Sequence, residues 1–181
     1  TWLLHIIKSL KRKGKAAVIL PHGVLFRGNA EATIRQSLIE KGLIKGIIGL
    51  PANLFYGTGI PACIIVIDKE NADERDGIIM IDASRNFIKD GNKNRLRERD
   101  VYKITTVFNQ LVQDHSLEFP KYARFVPNDE IKFKNSYNLN IPRYIDSGAA
   151  EDLQSIDGHL HGGILSSDVD SLSLYWDAFP N

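Results

Sequence analysis

The chain has 181 residues, 23 of them basic and 22 acidic, for a formal net charge of +1. That length suits one domain, or one domain with an appendage, and the even charge excludes a grossly polycationic nucleic-acid binder while leaving room for a local basic face. The one cysteine, Cys63, lies in an apolar run with no intrachain partner, which excludes a disulfide scaffold, fits a reducing cytoplasm and reads as a small buried hydrophobe.

In chain order, Trp2, Leu3, Ile6, Ile7 and Leu10 follow the i, i+3, i+4 rhythm of an amphipathic helix, closed by Lys11-Arg12-Lys13-Gly14. The run Ala16-Ala17-Val18-Ile19-Leu20 is expected to form a strand buried on both faces, ended by Pro21. Asn29 is expected to cap a helix over residues 30–41, with Ile34, Leu38 and Ile39 as its buried stripe and Gly42 as its stop. Residues 43–50 and 62–67 read as strands. Helix, strand, helix, strand is the signature of a parallel α/β sheet, but the connection at residues 51–61 is too short for a crossover helix. The two strands that flank it are therefore expected to be antiparallel neighbours. Residues 68–76 read as a solvated turn before a strand at 77–82.

Beyond Ala83 the pattern changes. Residues 89–94 read as a polar loop without core residues, and 96–112 as a helix with Val101, Ile104, Val107, Phe108 and Leu111 on its apolar side. A short strand is expected at 124–126, a helical turn or a strand at 130–133, and extended chain at 138–144, where Pro142 removes a donor. Residues 147–163 read as linker and 167–179 as a short tail helix whose Val169, Leu172, Tyr175 and Trp176 want a partner. No apolar stretch reaches the roughly 20 residues that span a bilayer, so no membrane partner is expected. Residues 1–7 lack the leader of a secretory signal. The start at Thr1 in mid-pattern and the end at Asn181 suggest a piece of a longer polypeptide.

The stretch with most chemical character is Leu50-Pro51-Ala52-Asn53-Leu54-Phe55-Tyr56-Gly57-Thr58-Gly59-Ile60-Pro61-Ala62. Two glycines give backbone freedom, Pro51 and Pro61 fix the ends, and two adjacent aromatics have little room inside a two-strand connection. At least one of them is expected to face a cleft, as in a binding loop carried by a rigid sheet. His22 follows a strand at the carboxyl edge where α/β proteins bind ligands, with a structural loop role as its alternative. Arg27, Arg35 and the basic turn 11–15 are placed to touch phosphates. The basic cluster Lys89, Lys93, Arg95, Arg97 and Arg99 reads either as a solvated helix start or as a nucleic-acid face. No Gly-x-Gly-x-x-Gly, no phosphate-binding loop and no CxxC pair occurs, and His159 and His161 lack further ligands, so no metal site is expected.

Several ordered motifs carry a resemblance. They are Gly14-Lys15-Ala16-Ala17-Val18-Ile19-Leu20-Pro21-His22-Gly23-Val24-Leu25-Phe26-Arg27-Gly28, Ile34-Arg35, Gly49-Leu50-Pro51 and Phe55-Tyr56-Gly57-Thr58-Gly59-Ile60-Pro61-Ala62, followed by Asp82-Ala83-Ser84, Tyr137-Asn138-Leu139-Asn140-Ile141-Pro142-Arg143-Tyr144 and Tyr175-Trp176. With these the chain resembles the DNA methyltransferase (modification) subunit of type I restriction-modification systems, which methylates adenine on its exocyclic amine with S-adenosylmethionine. The resemblance implies the C-terminal part of a Rossmann-like class I methyltransferase α/β sheet, mixed, with an antiparallel hairpin at its end, plus a helical C-terminal extension. The expected divisions are 1–84, 85–146 and 147–181.

The family's glycine-rich cofactor turn and its Asn-Pro-Pro-aromatic catalytic loop are both absent from this sequence. The chain alone is therefore expected neither to bind S-adenosylmethionine well nor to methylate, and no catalytic residue is assigned in it. The resemblance implies that Phe55, with Tyr56 second, stacks on the extruded adenine of double-stranded DNA, and that Pro51, Asn53, Gly57, Thr58, Gly59, Pro61 and His22 shape the base pocket. Arg27, Arg35, Lys93 and Arg95 would face DNA phosphates. The implied protein partners are the specificity subunit, a second modification subunit and the restriction subunit, with the 96–112 helix and the tail helix as assembly surfaces. A non-catalytic module that docks subunits or holds DNA is the alternative for the chain by itself.

Overall fold

In the computed structural model, which describes residues 2–148 and Gly162, the chain begins with α1, Trp2–Ser9, and β1, Lys15–Pro21. A 3-10 turn, His22–Leu25, leads to α2, Asn29–Glu40. Three strands follow: β2, Ile44–Gly49; β3, Ala62–Asp68; and β4, Gly77–Asp82. The strands β5, Ile88–Asp90, and β6, Lys93–Arg95, pair as a small hairpin ahead of α3, Glu98–Gln113. Then β7, Glu118–Phe119, and β8, Ala123–Pro127, return to the main sheet, whose order is β1-β3-β2-β4-β8-β7.

The short connection makes β2 and β3 antiparallel, with Gly49 opposite Cys63 and Ile48 opposite Ile64. β1 is also antiparallel to β3, and β4 is parallel to β2. So β1, β2 and β4 all end at one edge of the sheet. Along β4 the side chains alternate between two cores, as the two-residue period of a strand requires. Ile78 and Met80 pack with Leu38 and Ile39 of α2, while Ile79 and Ile81 pack with Ile104, Val107 and Leu111 of α3. Each such side chain contributes about 1.5–3 kcal/mol by leaving water. Cys63 lies in the first core, fully buried, and burial pushes its thiol up to about 12, consistent with an inert small hydrophobe.

Several expectations need correction. β1 is not buried on both faces: it ends the sheet order, and exposure alternates along it, with Ile19 at 53%. An apolar run permits burial, but topology decides what covers it. Asn29 does not cap α2. It is the helix's first residue, at φ +55°, and Gly28 holds the cap position. Gly42 does stop α2, at φ +59°, where a Cβ would strike the Ala72 carbonyl oxygen.

In α3 the buried stripe runs Asp100, Ile104, Val107, Leu111, so Val101, one residue off that stripe, is 48% exposed. Asp100 is buried because it closes a capping box. Its carboxylate accepts the Arg97 backbone N–H at 2.9 Å and the guanidinium at 2.7 and 2.9 Å, and these bonds hold it down at about 2. Because the stripe packs on the chain's own sheet, it is not the free assembly surface expected.

Residues 68–76 are not a plain solvated turn, and 89–94 are not a structureless loop. The first contains the buried Asp68, and the second folds as the β5–β6 hairpin with Asn94 buried. Residues 130–134 make one π-helical turn. Residues 138–144 are not extended throughout, since Pro142 sits in a 3-10 turn, Ile141–Arg143, whose first turn does not use its missing N–H. The division expected at residue 84 falls inside a single unit ending at Ser147, because β8 pairs with β4. The linker at 147–163 and the tail helix at 167–179, with the third division, lie outside the described residues apart from positions 147, 148 and 162. No described helix is long and apolar enough to cross a membrane.

Candidate functional site

The common edge at which β1, β2 and β4 end carries the connection 51–61. Its neck is closed by backbone bonds: Leu50 N–H to the Ala62 carbonyl at 2.9 Å, His22 N–H to Pro61 at 3.0 Å and Ala83 N–H to Gly49 at 2.9 Å. These bonds bring His22, Pro61 and the ends of all three strands together. Within the loop, Asn53 at φ +53° donates its N–H to Gly59 at 3.4 Å, and Thr58 Oγ1 accepts the Ile60 N–H at 3.1 Å. Gly57 takes φ +77°, a conformation that L side chains rarely adopt.

Pro51 is buried and Leu54 packs into the α3-side core, which anchors the loop on the sheet. The aromatics do not follow them inward. Phe55 is 37% exposed and Tyr56 94%. Phe55 lines an apolar hollow of about 180 Å3 together with Ile19, Leu20, Pro21, Thr58 and Ile60. The edge position of β1, which leaves Ile19 uncovered, helps to make that hollow.

The β5–β6 hairpin holds the loop from the other side. Asn94 donates its backbone N–H to the Asn53 carbonyl at 2.9 Å and its side-chain Nδ2–H to the Ala52 carbonyl at 2.7 Å. Lys93 donates to the Phe55 carbonyl, and its Nζ lies 5.3 Å from the Tyr56 ring centroid. Lys93 is thus engaged with the loop rather than presented to phosphates. Asn94 is the residue that sequence reasoning missed. The available signal was the Gly91-Asn92 pair, a hairpin-turn dipeptide, with Gly91 at φ +58°.

His22 is half-buried at the loop's foot, edge-on to Phe26 with ring centroids 6.1 Å apart. Burial disfavours the protonated ring and lowers its pKa, against the opposing pull of Asp82. Its Nε2 is buried and has no hydrogen-bond partner among the described residues.

The expected phosphate contacts divide. Arg35 is 7% exposed and donates to the carbonyls of Tyr137 at 2.8 Å, Arg27 at 3.0 Å and Val24 at 3.1 Å. Those bonds engage its Nε and Nη1 in tying three segments together, and with the residue buried it is not a phosphate contact. Arg27 remains on the surface beside Glu31 at 3.9 Å, and Arg95 beside Asp90 at 3.0 Å, both in exposed pairs of small strength. In the basic turn, Lys13 and Lys15 are matched by Glu70 and Asp68 at the opposite end of the sheet.

The N-6 DNA methylase family profile matches residues 1–153. The chain is 33% identical over 151 residues to the type I restriction enzyme MpnII methylase subunit of Mycoplasma pneumoniae, covering 83% of this chain and 26% of that protein. It is 37% identical over 135 residues to the MjaVII methylase subunit of Methanocaldococcus jannaschii, covering 72% and 22%. Among solved structures, the type I restriction-modification methyltransferase subunit from Streptococcus thermophilus is 42% identical with a TM-score of 0.73, over 80% of this chain and 30% of that one. The chain therefore spans about a quarter of the length of these curated relatives. With a profile match over most of its residues and the same mixed sheet as a solved relative, the chain belongs to the N-6 DNA methylase family.

Proposed function

We propose that the whole protein carrying this chain is the modification subunit of a type I restriction-modification system, and that residues 51–61 form one wall of the pocket for its target base. In this reading it transfers a methyl group from S-adenosylmethionine to the exocyclic amine of adenine in double-stranded DNA, in the cytoplasm, together with specificity, restriction and second modification subunits. One observation carries the assignment of the wall: in a member of an adenine-methylating family, an aromatic side chain stands over an apolar hollow at the edge where three strands end.

The physical case rests on stacking. The amine of adenine is inaccessible inside a duplex, so the base must leave the stack before it reacts. An aromatic face returns roughly 1–3 kcal/mol per base, comparable with what unstacking takes. Phe55 supplies that face, and Pro51 and Pro61 fix the ends of the loop that carries it. Tyr56 is the second choice, because the Lys93 ammonium sits over its ring. Arg27 and Arg95, on exposed surface, remain the candidate phosphate contacts.

The hollow does not fit the cofactor. At about 180 Å3 it is smaller than the roughly 300 Å3 at which small-molecule sites begin, and its lining has no carboxylate for ribose hydroxyls. Cofactor binding and methyl transfer are accordingly assigned to residues of the whole protein outside this chain. The test is transfer of a labelled methyl group to a duplex by the assembled protein. Wild type transfers it, and Phe55→Ala lowers kcat/KM by about 5- to 150-fold, the range that loss of one stacking face predicts. Unchanged kcat/KM in that variant removes Phe55 from the site.

A further inference from the structure

We infer that Lys93 and Asn94 are positioning residues, a clamp on the β5–β6 hairpin that sets where the aromatic tip of the loop stands. This rests on the reading of residues 51–61 as the base-pocket wall. Three carbonyls in a run of four residues, those of Ala52, Asn53 and Phe55, all point to the hairpin and are taken by two adjacent hairpin residues. Fixing those carbonyls fixes the peptide planes that carry Phe55 and Tyr56. The loop's own bonds cannot do this, since they join its neck and flanks, at Leu50 to Ala62, Asn53 to Gly59 and Ile60 to Thr58.

The chemistry of Asn94 points the same way. It is 7% exposed, and its Oδ1 is buried with no partner among the described residues. A buried polar atom without a partner is destabilising, so an apolar side chain would serve a merely packed position better. What the amide provides is the Nδ2–H that Ala52 requires. Lys93 adds a tie that an apolar stem cannot make, and its ammonium also stands 5.3 Å from the Tyr56 ring centroid.

The experiment uses the whole protein assembled with its specificity subunit, carrying Asn94→Ala, Lys93→Met or Lys93→Arg. Duplexes with 2-aminopurine at the target position report base extrusion by fluorescence. Both donor-removing variants are expected to lower kcat by about 10- to 100-fold, with KM for DNA and cofactor near wild type, because misplacement by about an ångström can cost roughly a hundredfold. They are also expected to dim the extruded-base signal, while Lys93→Arg, which keeps a donor, restores both. Exchange of the residue-94 amide, which the Asn53 carbonyl accepts, and of the Asn53 amide, which the Gly59 carbonyl accepts, should quicken in Asn94→Ala and Lys93→Met while β2 and β3 stay protected.

Unaltered exchange at the residue-94 and Asn53 amides overturns the clamp, whatever the activity. Faster exchange with wild-type kcat and fluorescence overturns the positioning role. If wild type neither transfers methyl nor extrudes the base, the base-wall reading fails and the positioning role fails with it, and loop exchange then shows separately whether the ties exist.

Discussion

Two connections flank β3, one at each end of the sheet, and they are built in opposite ways. At residues 69–76 one side chain, that of Arg75, turns back onto the fold, next to the buried Asp68 that ends β3. Arg75 donates to the carbonyls of Gly42, Asp68 at 2.9 Å and Glu70 at 3.1 Å, while Asp68 is buried against Lys45 at 3.1 Å and Lys15 at 3.5 Å. At residues 51–61 the ties fall on backbone carbonyls, and the large side chains at the tip stay in solvent. The first arrangement spends its functional groups on the fold; the second uses a neighbour's groups to hold apolar surface outward. A connection of the second kind is what a binding site needs, since surface that is already satisfied has nothing left to recognise with.

The largest effect is expected where the fold depends on side chains. Arg75→Ala strands three carbonyl acceptors and should lower the unfolding free energy by about 2–3 kcal/mol in a urea titration. A change below the experimental error would mean that this turn is as independent of the core as residues 55–57 are.

A smaller effect separates the two connections by pH. Burial alone would raise the pKa of Asp68, but the Glu70 N–H, Lys45 and Lys15 outweigh it and hold the carboxyl below its usual value. With the folded pKa depressed, its contribution is full above the unfolded value of about 3.9 and is lost as pH falls through the lower folded value. Asp68→Asn should flatten the acid limb of the stability curve in that window. Residues 50–61 hold no carboxylate, so the protection of the Asn53 and Asn94 amides, relative to free-amide exchange at each pH, should not follow the same curve below pH 4 except through global unfolding. A loop that opens at acid pH ahead of the sheet would contradict the contrast.

How much of this was legible in the chain differs by the range of the contact. The antiparallel β2–β3 pair follows from a connection too short for a crossover, and the end of α2 from Gly42. The aromatic tip followed from having two rings and nowhere to bury them both. Arg35 was unreadable as a tie because one of its carbonyl partners, Tyr137, lies 102 residues away. In the same way β1 looked like a doubly buried strand, since a run of apolar residues carries no record of which strand stands beside it. The clamp was hidden differently. Lys93 and Asn94 are polar residues in a polar stretch, and only the sheet's geometry sets the hairpin against the loop.

The central claim is that the Phe55 ring serves recognition rather than packing, and the direct test reads both in one variant. Phe55→Ala should change the unfolding free energy by no more than about 1 kcal/mol, as expected for a side chain outside the core. In the assembled protein it should also lower the equilibrium constant for extruding the target base, titrated with a 2-aminopurine duplex, about tenfold, within the range of one lost stacking face. A loss of more than about 3 kcal/mol, the size of a large-to-small change in a packed core, together with undiminished extrusion, would show that the ring belongs to the fold.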